Sequence, residues 1–265
     1  MNTTGRSAMD TWDDFEARYF DAQFAATTKL SLAEDVDAYL RCLPDGATVV
    51  DLLAGTGRVS LPLARAGHRV LAVDRSSAML LRLRTKLADE PPTVSRLVET
   101  IQADVLDWSG PIHTDAVVIP FHGLNCLTDF RHQQALLRRC HHWLARGGVL
   151  ALDIVNPLQL TTGGDQYPRS TPPRELENSD TTVTCSSLHS PVSALGVQVV
   201  SGHFEERSAD GGTRYPFEFS WRHTTLAEVT LMLEGAGFAR IQTFGGFRGE
   251  PVSRAALRYF VMATK

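Results

Sequence analysis

The stretch Val49-Val50-Asp51-Leu52-Leu53-Ala54-Gly55-Thr56-Gly57-Arg58 constrains this chain more than any other. The apolar run 47–53 reads as a buried strand, Gly55-Thr56-Gly57 as a tight turn, and 58–66 as a helix, although Pro62 removes one of its backbone hydrogen bonds. A strand that passes through glycines into a helix lets the backbone approach a ligand closely.

The same rhythm then repeats. Residues 68–73 form a second buried strand ending at Asp74, and Ser76 or Ser77 caps a helix carrying Met79, Leu80, Leu83 and Leu87 on one side. Strands are expected over 94–102 and 115–120, a helix over 130–144, and a fifth strand over 149–155 after the Gly147-Gly148 turn. Strands alternating with helices imply a parallel sheet covered on both faces. Ahead of this unit the pattern is helical from Thr11, with Trp12, Phe15 and Tyr19 on one face. A second helix is capped by Ser31-x-x-Glu34, carries Val36, Tyr39, Leu40 and Leu43, and stops at Pro44-Asp45-Gly46.

After Asn156 the pattern changes. Residues 157–178 are rich in Thr, Gly and Pro and read as a long loop, while 197–204 and 214–221 are strand-like and flank the turn Ala209-Asp210-Gly211-Gly212. Tyr215, Phe217, Phe219 and Trp221 share one face of the second strand. This segment reads as an antiparallel β insertion over one end of the sheet. A helix capped by Thr225-x-x-Glu228 follows and stops at Gly235-Ala236-Gly237; strands 239–244 and 256–263 have no helix between them and should pair antiparallel.

Bulk properties limit the partners. The 265 residues, 43% hydrophobic and 21% charged, are enough for one large core, although length alone allows one domain or two. A net charge of −4 disfavours nucleic acid as a partner. Apolar runs are of strand length, and the N-terminus MNTTGRSAMD lacks the apolar core of a secretion signal. Cys42, Cys126, Cys140 and Cys185 are scattered without a C-x-x-C pair, so the expectation is a cytoplasmic enzyme with reduced thiols and no membrane partner. Cys140-His141-His142 is not read as a metal site, because adjacent helical residues diverge and no second ligand group stands at metal-site spacing.

A dinucleotide site would need G-x-G-x-x-G, its third glycine permitting close helix–strand packing. Here Gly57 is followed by Arg58-Val59-Ser60, and Asp51 would oppose a pyrophosphate; it suits a ligand with a cationic amine and a sulfonium. Asp51-Leu52-Leu53-Ala54-Gly55-Thr56-Gly57 resembles the first motif of the class I S-adenosylmethionine-dependent methyltransferases. Asp74 matches the acidic residue that holds the ribose hydroxyls, and Ala103-Asp104-Val105 resembles the segment that recognises adenine. Ile119-Pro120-Phe121-His122 stands where the fourth motif lies, beside the reactive methyl. The resemblance covers roughly 32–155 and 226–265.

That resemblance implies a Rossmann-like, doubly wound seven-stranded α/β sheet with an antiparallel last strand, and the antiparallel β insertion then acts as a lid. The chain is expected to be a single domain over 1–265, with an N-terminal helical cap at 11–46 and the insertion at 156–224. The implied cofactor is S-adenosyl-L-methionine, held by Tyr19, Asp51, Ala54, Gly55, Gly57, Asp74, Arg75, Met79, Asp104, Val105, Pro120 and Phe121. One departure stands out: the family usually has glycine or another small residue where this chain has Leu53. The plainer alternatives are that Asp51 and Asp74 are ordinary strand-end residues and that Asp104 is a surface turn residue.

Methyl transfer from a sulfonium is an in-line displacement that needs an aligned nucleophile and exclusion of water, so proximity supplies much of the acceleration. His122 and Asn125, just past the fourth strand, are the candidate catalytic residues, with His122 a base or a packing residue. Trp221, Arg222 and His223 are the candidate acceptor-binding residues; no metal is expected. The expected activity is methyl transfer to an N or O atom of a small molecule by a monomer or homodimer. The alternatives are an S-adenosylmethionine-binding enzyme with non-methylating chemistry (cofactor cyclisation or sulfonium-assisted rearrangement), a non-catalytic binding protein, and, last, a nicotinamide-dependent reductase.

Overall fold

Strands that are apolar on both faces have to be covered on both. β1 (Thr48–Leu52), β2 (Arg69–Asp74), β3 (Val98–Gln102), β4 (Thr114–Ile119) and β5 (Leu144–Val155) run parallel in one sheet. The computed structural model describes residues 17, 20–21, 32–159, 167–171, 174–175, 180–209 and 211–265. β12 (Arg258–Thr264) pairs antiparallel with both β5 and β11 (Arg240–Phe244) and closes a seven-stranded sheet of order β11-β12-β5-β4-β1-β2-β3.

Alternation along the strands sorts the core into two layers. Val49, Val70, Ala72, Ala116 and Val118 face α1 (Leu32–Arg41), α2 (Ser60–Arg65) and α3 (Ser77–Ala88), meeting Tyr39, Leu63, Leu80 and Leu83. Their neighbours Val50, Leu71, Val73, Val117 and Ile119 face the other way, onto Leu136, Leu137 and Trp143 of α5 (Phe130–Trp143) and Val229, Met232 and Leu233 of α6 (Leu226–Ala236). Each such fully buried Leu or Val side chain contributes about 1.5–3 kcal/mol relative to exposure. The caps are local: Ser76 accepts from the Met79 N–H, and Thr225 with Glu228 forms a complete capping box that ends at Gly237, left-handed at φ 97°.

Two boundaries differ from the sequence reading. Residues 94–97 are not strand: Pro91 and Pro92 initiate a single helical turn, α4 (Pro92–Ser95), and β3 begins only at Val98. β5 begins at Leu144, through a register shift that carries the Gly147-Gly148 turn within it.

The insertion between β5 and α6 is a second sheet. β9 (Val197–Ser208) and β10 (Gly211–Arg222) form the expected hairpin, lengthened at its outer end, and β8 (Thr182–His189) and β6 (Tyr167–Ser170) extend it in the order β10-β9-β8-β6, with β7 (Arg174–Glu175) on β8. The expectation of one long loop over 157–178 is therefore corrected, since β6 and β7 lie within it, and β8 was not anticipated. Their Thr, Ser and Pro content hides the alternation, and Pro168 and Pro216 are tolerated because β6 and β10 are edge strands. Val200, Phe204, Phe217 and Val183 form this sheet's own small core.

The chain crosses from β3 to β4 on the far side of β1. The switch in strand order falls between β1 and β4, and in open α/β sheets ligands bind at such a point, beyond the carboxyl ends of the strands. Among the described residues no helix is long and apolar enough to cross a membrane.

Candidate active site

Asp51, one residue before the end of β1, is fully buried. Its Oδ2 accepts a hydrogen bond from Ser60 Oγ at 2.6 Å, while Oδ1 is sealed in without a partner among the described residues. Burial pushes this carboxyl up to about 7, against Ser60 and Arg58, which pull it down. An unpartnered buried carboxylate oxygen lacks a donor or a cation. S-adenosylmethionine, which carries an ammonium and a sulfonium, fits that deficit.

Asp74, at the end of β2, joins two loops: Oδ2 accepts from the Gly55 N–H and Oδ1 from the Ser76 N–H, both at 2.8 Å. Each oxygen keeps a lone-pair direction for a ribose hydroxyl. Burial raises this carboxyl above its ordinary range, and the backbone donors oppose the shift. Ala54 is buried, and its N–H returns to the Val73 carbonyl, holding the turn against β2.

The two glycines differ in function. Gly55 is held by its left-handed φ of 56°. Gly57 also has positive φ, and a Cβ there would lie 2.2 Å from Leu83 Cδ1, so it admits α3 against the turn. Leu53, the departure from the family pattern, takes the glycine-like conformation anyway, at φ 56°, and packs its side chain against Gly123. Phe20 approaches Gly55, and Asp21 accepts from Thr56 Oγ at 2.6 Å and pairs with Lys86 at 2.7 Å, so the helical residues 20–21 lie on the glycine turn. Tyr19 lies outside the described residues.

Of the remaining expected cofactor residues, Met79 is buried in the first turn of α3 and Arg75 is exposed. Asp104 is exposed, and its Oδ1 accepts from the Leu106 N–H, a local turn bond that leaves Oδ2 to the surface; Val105 turns its side chain into the core. Pro120 is buried at the end of β4.

Phe121 and His122, after Pro120, are both left-handed, at φ 53° and 49°. Each such residue costs on the order of 1–3 kcal/mol and persists only where its surroundings over-determine it. The surroundings converge on Asp153 of β5, fully buried. Its Oδ1 accepts from the Phe121 N–H at 2.6 Å and the Tyr39 hydroxyl at 2.7 Å; Oδ2 accepts from the His122 N–H at 3.1 Å and Arg258 Nη1 at 2.9 Å. Arg258 Nη1 also reaches His122 Nδ1 at 2.9 Å, and its guanidinium lies 4.7 Å from the Phe121 ring centre. Arg58, in a two-fold contact with Asp35, lies 5.5 Å from the same ring.

Arginine donates and cannot accept, so His122 Nδ1 is the acceptor and the ring proton sits on Nε2. Burial, and then the Arg258 charge, lower the imidazole to about 3, only partly offset by Asp153. His122 is therefore neutral, with Nδ1 occupied by Arg258. Asn125 is buried; its Nδ2 donates to the Arg222 carbonyl and its Oδ1 is unpartnered among the described residues, so it fastens the insertion to the loop.

The three expected acceptor residues divide. Trp221 meets the His122 ring edge-on at 5.5 Å between centroids. Arg222 points elsewhere: it is buried, pairs with Glu228 of α6 at 2.7 Å, reaches Gln133 and Thr224, and lies over Phe130. His223 is buried against Gln198 Oε1 at 3.1 Å, an atom it shares with Trp221 Nε1, and burial lowers its imidazole to about 4. The polar atoms of Arg222 and His223 are thus engaged within the protein, whereas Trp221 lies against His122.

Sequence reasoning missed Asp153, Arg258 and Gln198, and took Tyr39 for core. The available signal was an acid inside the apolar run Leu150-Ala151-Leu152-Asp153-Ile154, since unpaired charges are not buried.

Comparisons with known proteins agree with this arrangement. The family described as "Methyltransferase domain" matches residues 49–148. The cypemycin N-terminal methyltransferase of a Streptomyces species is 30% identical over 218 residues, which is 82% of this chain and 83% of that protein. Among solved structures, the CcbJ methyltransferase from Streptomyces caelestis superposes with a TM-score of 0.76 at 23% identity, covering 96% of this chain and 97% of that one. S-adenosylmethionine-bound CalS10 from Micromonospora echinaspora, an amino pentose methyltransferase, superposes with a TM-score of 0.69 at 20% identity, covering 100% and 99%. With the glycine turn, the two strand-end carboxylates and the switch in strand order between β1 and β4, this chain belongs to the class I methyltransferases, enzymes that take S-adenosylmethionine as cofactor.

Proposed function

We propose that the enzyme transfers the methyl group to an amine nitrogen of a small acceptor enclosed between the Phe121–His122 loop and the insertion. The observation that carries this reading is the state of His122: Nδ1 is held by Arg258, and the imidazole is lowered to about 3. An aliphatic hydroxyl, with a pKa near water's value of about 15.7, needs a base before it attacks. An amine in its free form already presents a lone pair. Asp153 does not serve as that base either, because four donors already occupy its oxygens.

When bound, S-adenosylmethionine would supply an electrophilic methyl group on a sulfonium: the free amine's lone pair would form the C–N bond as the C–S bond breaks, the sulfur keeping that pair and the methylated ammonium giving up its proton to solvent. Asp51 answers its cationic end, Asp74 its ribose, and the glycine turn its close backbone approach. Trp221 and His122 wall the acceptor's side of the crevice and exclude water, so orientation is the main contribution of the protein. The 30%-identical relative is named an N-terminal methyltransferase, and the N-terminus of a peptide is an amine, which supports nitrogen over oxygen. Membership of the methyltransferase family displaces the alternative of cofactor cyclisation or sulfonium-assisted rearrangement.

The test is methyl-labelled cofactor with matched acceptors: an amine, its N-acetyl derivative and the corresponding alcohol. Label should enter the amine and neither of the others. Label in the alcohol at a comparable rate would overturn the nitrogen assignment.

A further inference from the structure

Arg258 and Asp153 lie outside every motif that led to this site, and both act on one side chain. We infer that they are positioning residues that hold His122 as a fixed Nε2–H donor facing the crevice, so that the ring orients the acceptor and never takes its proton.

The geometry is closed on one side of the ring and open on the other. Arg258 Nη1 lies 2.9 Å from His122 Nδ1 and 2.9 Å from Asp153 Oδ2, so the carboxylate aims the guanidinium that fixes the tautomer. Asp153 also holds the ring's own backbone, taking the N–H groups of Phe121 and His122 where both are left-handed. Tyr39 secures the other Asp153 oxygen from α1. Nε2 meets no hydrogen-bond partner among the described residues and is not one of the fully buried polar atoms left unpaired. An atom with a proton and no acceptor among the described residues, beside Trp221, is placed to bind an oxygen or nitrogen lone pair of a ligand.

The charged and titratable groups around His122 come from four directions: Arg258 from β12, Asp153 from β5, Arg58 from the turn after β1, and His223 from the end of β10. Three of the four are cationic or cation-forming, and they act with burial to keep the ring neutral. An oxygen beside the reacting amine, rather than the amine itself, is the natural partner for Nε2–H, because a donor on the attacking lone pair would weaken it. The acceptor class is thus an amine with a neighbouring hydroxyl or carbonyl oxygen. This inference takes the acceptor's amine and its place beside this loop from the proposed function; the tautomer and protonation of His122 stand apart from that reading.

Nitrogen-15 NMR of the histidine-labelled full chain tests it, with His122→Gln used to assign the resonance. The expected result is an unprotonated Nδ1, a protonated Nε2, and no titration between about pH 5.5 and 8.5. A protonated Nδ1, or a midpoint inside that window, would overturn the proposal. In Arg258→Leu the Nδ1 resonance should lose the signature of a fixed acceptor and the ring's midpoint should move upward from its wild-type position, and kcat should fall about tenfold or more while the cofactor Kd stays within about twofold. Arg258→Lys, which keeps a donor, should restore the wild-type nitrogen pattern in part. Loss of cofactor binding in step with kcat would reduce Arg258 to a structural residue; if Arg258→Leu does not fold, the wild-type spectrum decides. Failure of the nitrogen assignment is read separately, since an alcohol acceptor could be labelled while the His122 spectrum remains as expected.

Discussion

Asp51 has one satisfied oxygen and one without a donor among the described residues, and its carboxyl is raised to about 7 by burial. Below about pH 7 the free enzyme holds a proton there, and only the ionised form complements a cation. Cofactor affinity should therefore rise with pH, by up to about tenfold per unit as the proton is released, and level off above about 7. Calorimetry with S-adenosylmethionine between about pH 5 and 8, in buffers of different ionisation heat, measures both the affinity and the proton. A flat profile without proton release would remove Asp51 from the cofactor's cationic end. The sign for folding is opposite: between its ordinary value and 7 the native chain holds a proton that the unfolded chain has lost, so this group lowers the stability of the free enzyme as pH rises.

The turn between β1 and α2 depends on α3, two elements further along the chain. Gly57 is the point of contact, with φ 78° and Leu83 Cδ1 at 2.2 Å from where a Cβ would stand. Gly57→Ala must move α3 or distort the turn, and should cost about 2–4 kcal/mol, combining overpacking with an unfavourable left-handed alanine. Thermal unfolding measures this directly, and a change within about 0.5 kcal/mol would show that Leu83 yields freely. Gly55→Ala differs in kind, since the nearest atom to an added Cβ is Phe20 Cε1 at 3.9 Å and the backbone conformation is what resists. The usual account of a glycine-rich turn, backbone access for a ligand, therefore describes Gly55 better than Gly57.

For the whole molecule, Arg222 is central to the polar contacts that attach the insertion to the rest of the fold among the described residues. It joins β10 to α6 through Glu228 and to α5 through Gln133, while its carbonyl takes the Asn125 amide from the loop after β4. Arg222→Leu leaves Glu228 and Gln133 without their partner and should cost about 2–3 kcal/mol, at the low end for a buried pair because the Glu228 side chain is 32% exposed. Limited proteolysis should then cut within the insertion before the seven-stranded sheet opens. Cleavage at the wild-type rate would show that the aromatic contact of Trp221 with His122 holds the insertion by itself.

What the sequence determined is what local chemistry decides. The alternation of apolar strands with capped helices, the glycine turn, Ser76, the Thr225–Glu228 box and Gly237 each act through residues within four positions of one another, so they were legible without the fold. Asp51 and Asp74 were legible for the same reason, being tied to the ends of strands that the pattern located. The expected strand at 94–97 failed because two prolines outweigh an apolar pair, and β6 to β8 were missed because short strands and a Ser- and Thr-rich interior strand hide their alternation. Only the tertiary structure decided the state of His122, since Asp153 is 31 residues away and Arg258 is 136 away. It also turned Arg222 inward onto Glu228, a choice that rests on which helix the sheet leaves beside β10. Propensity and capping act along the chain, whereas the protonation, aim and strain of a buried group are set by charges and donors from distant segments, and only folding brings those together.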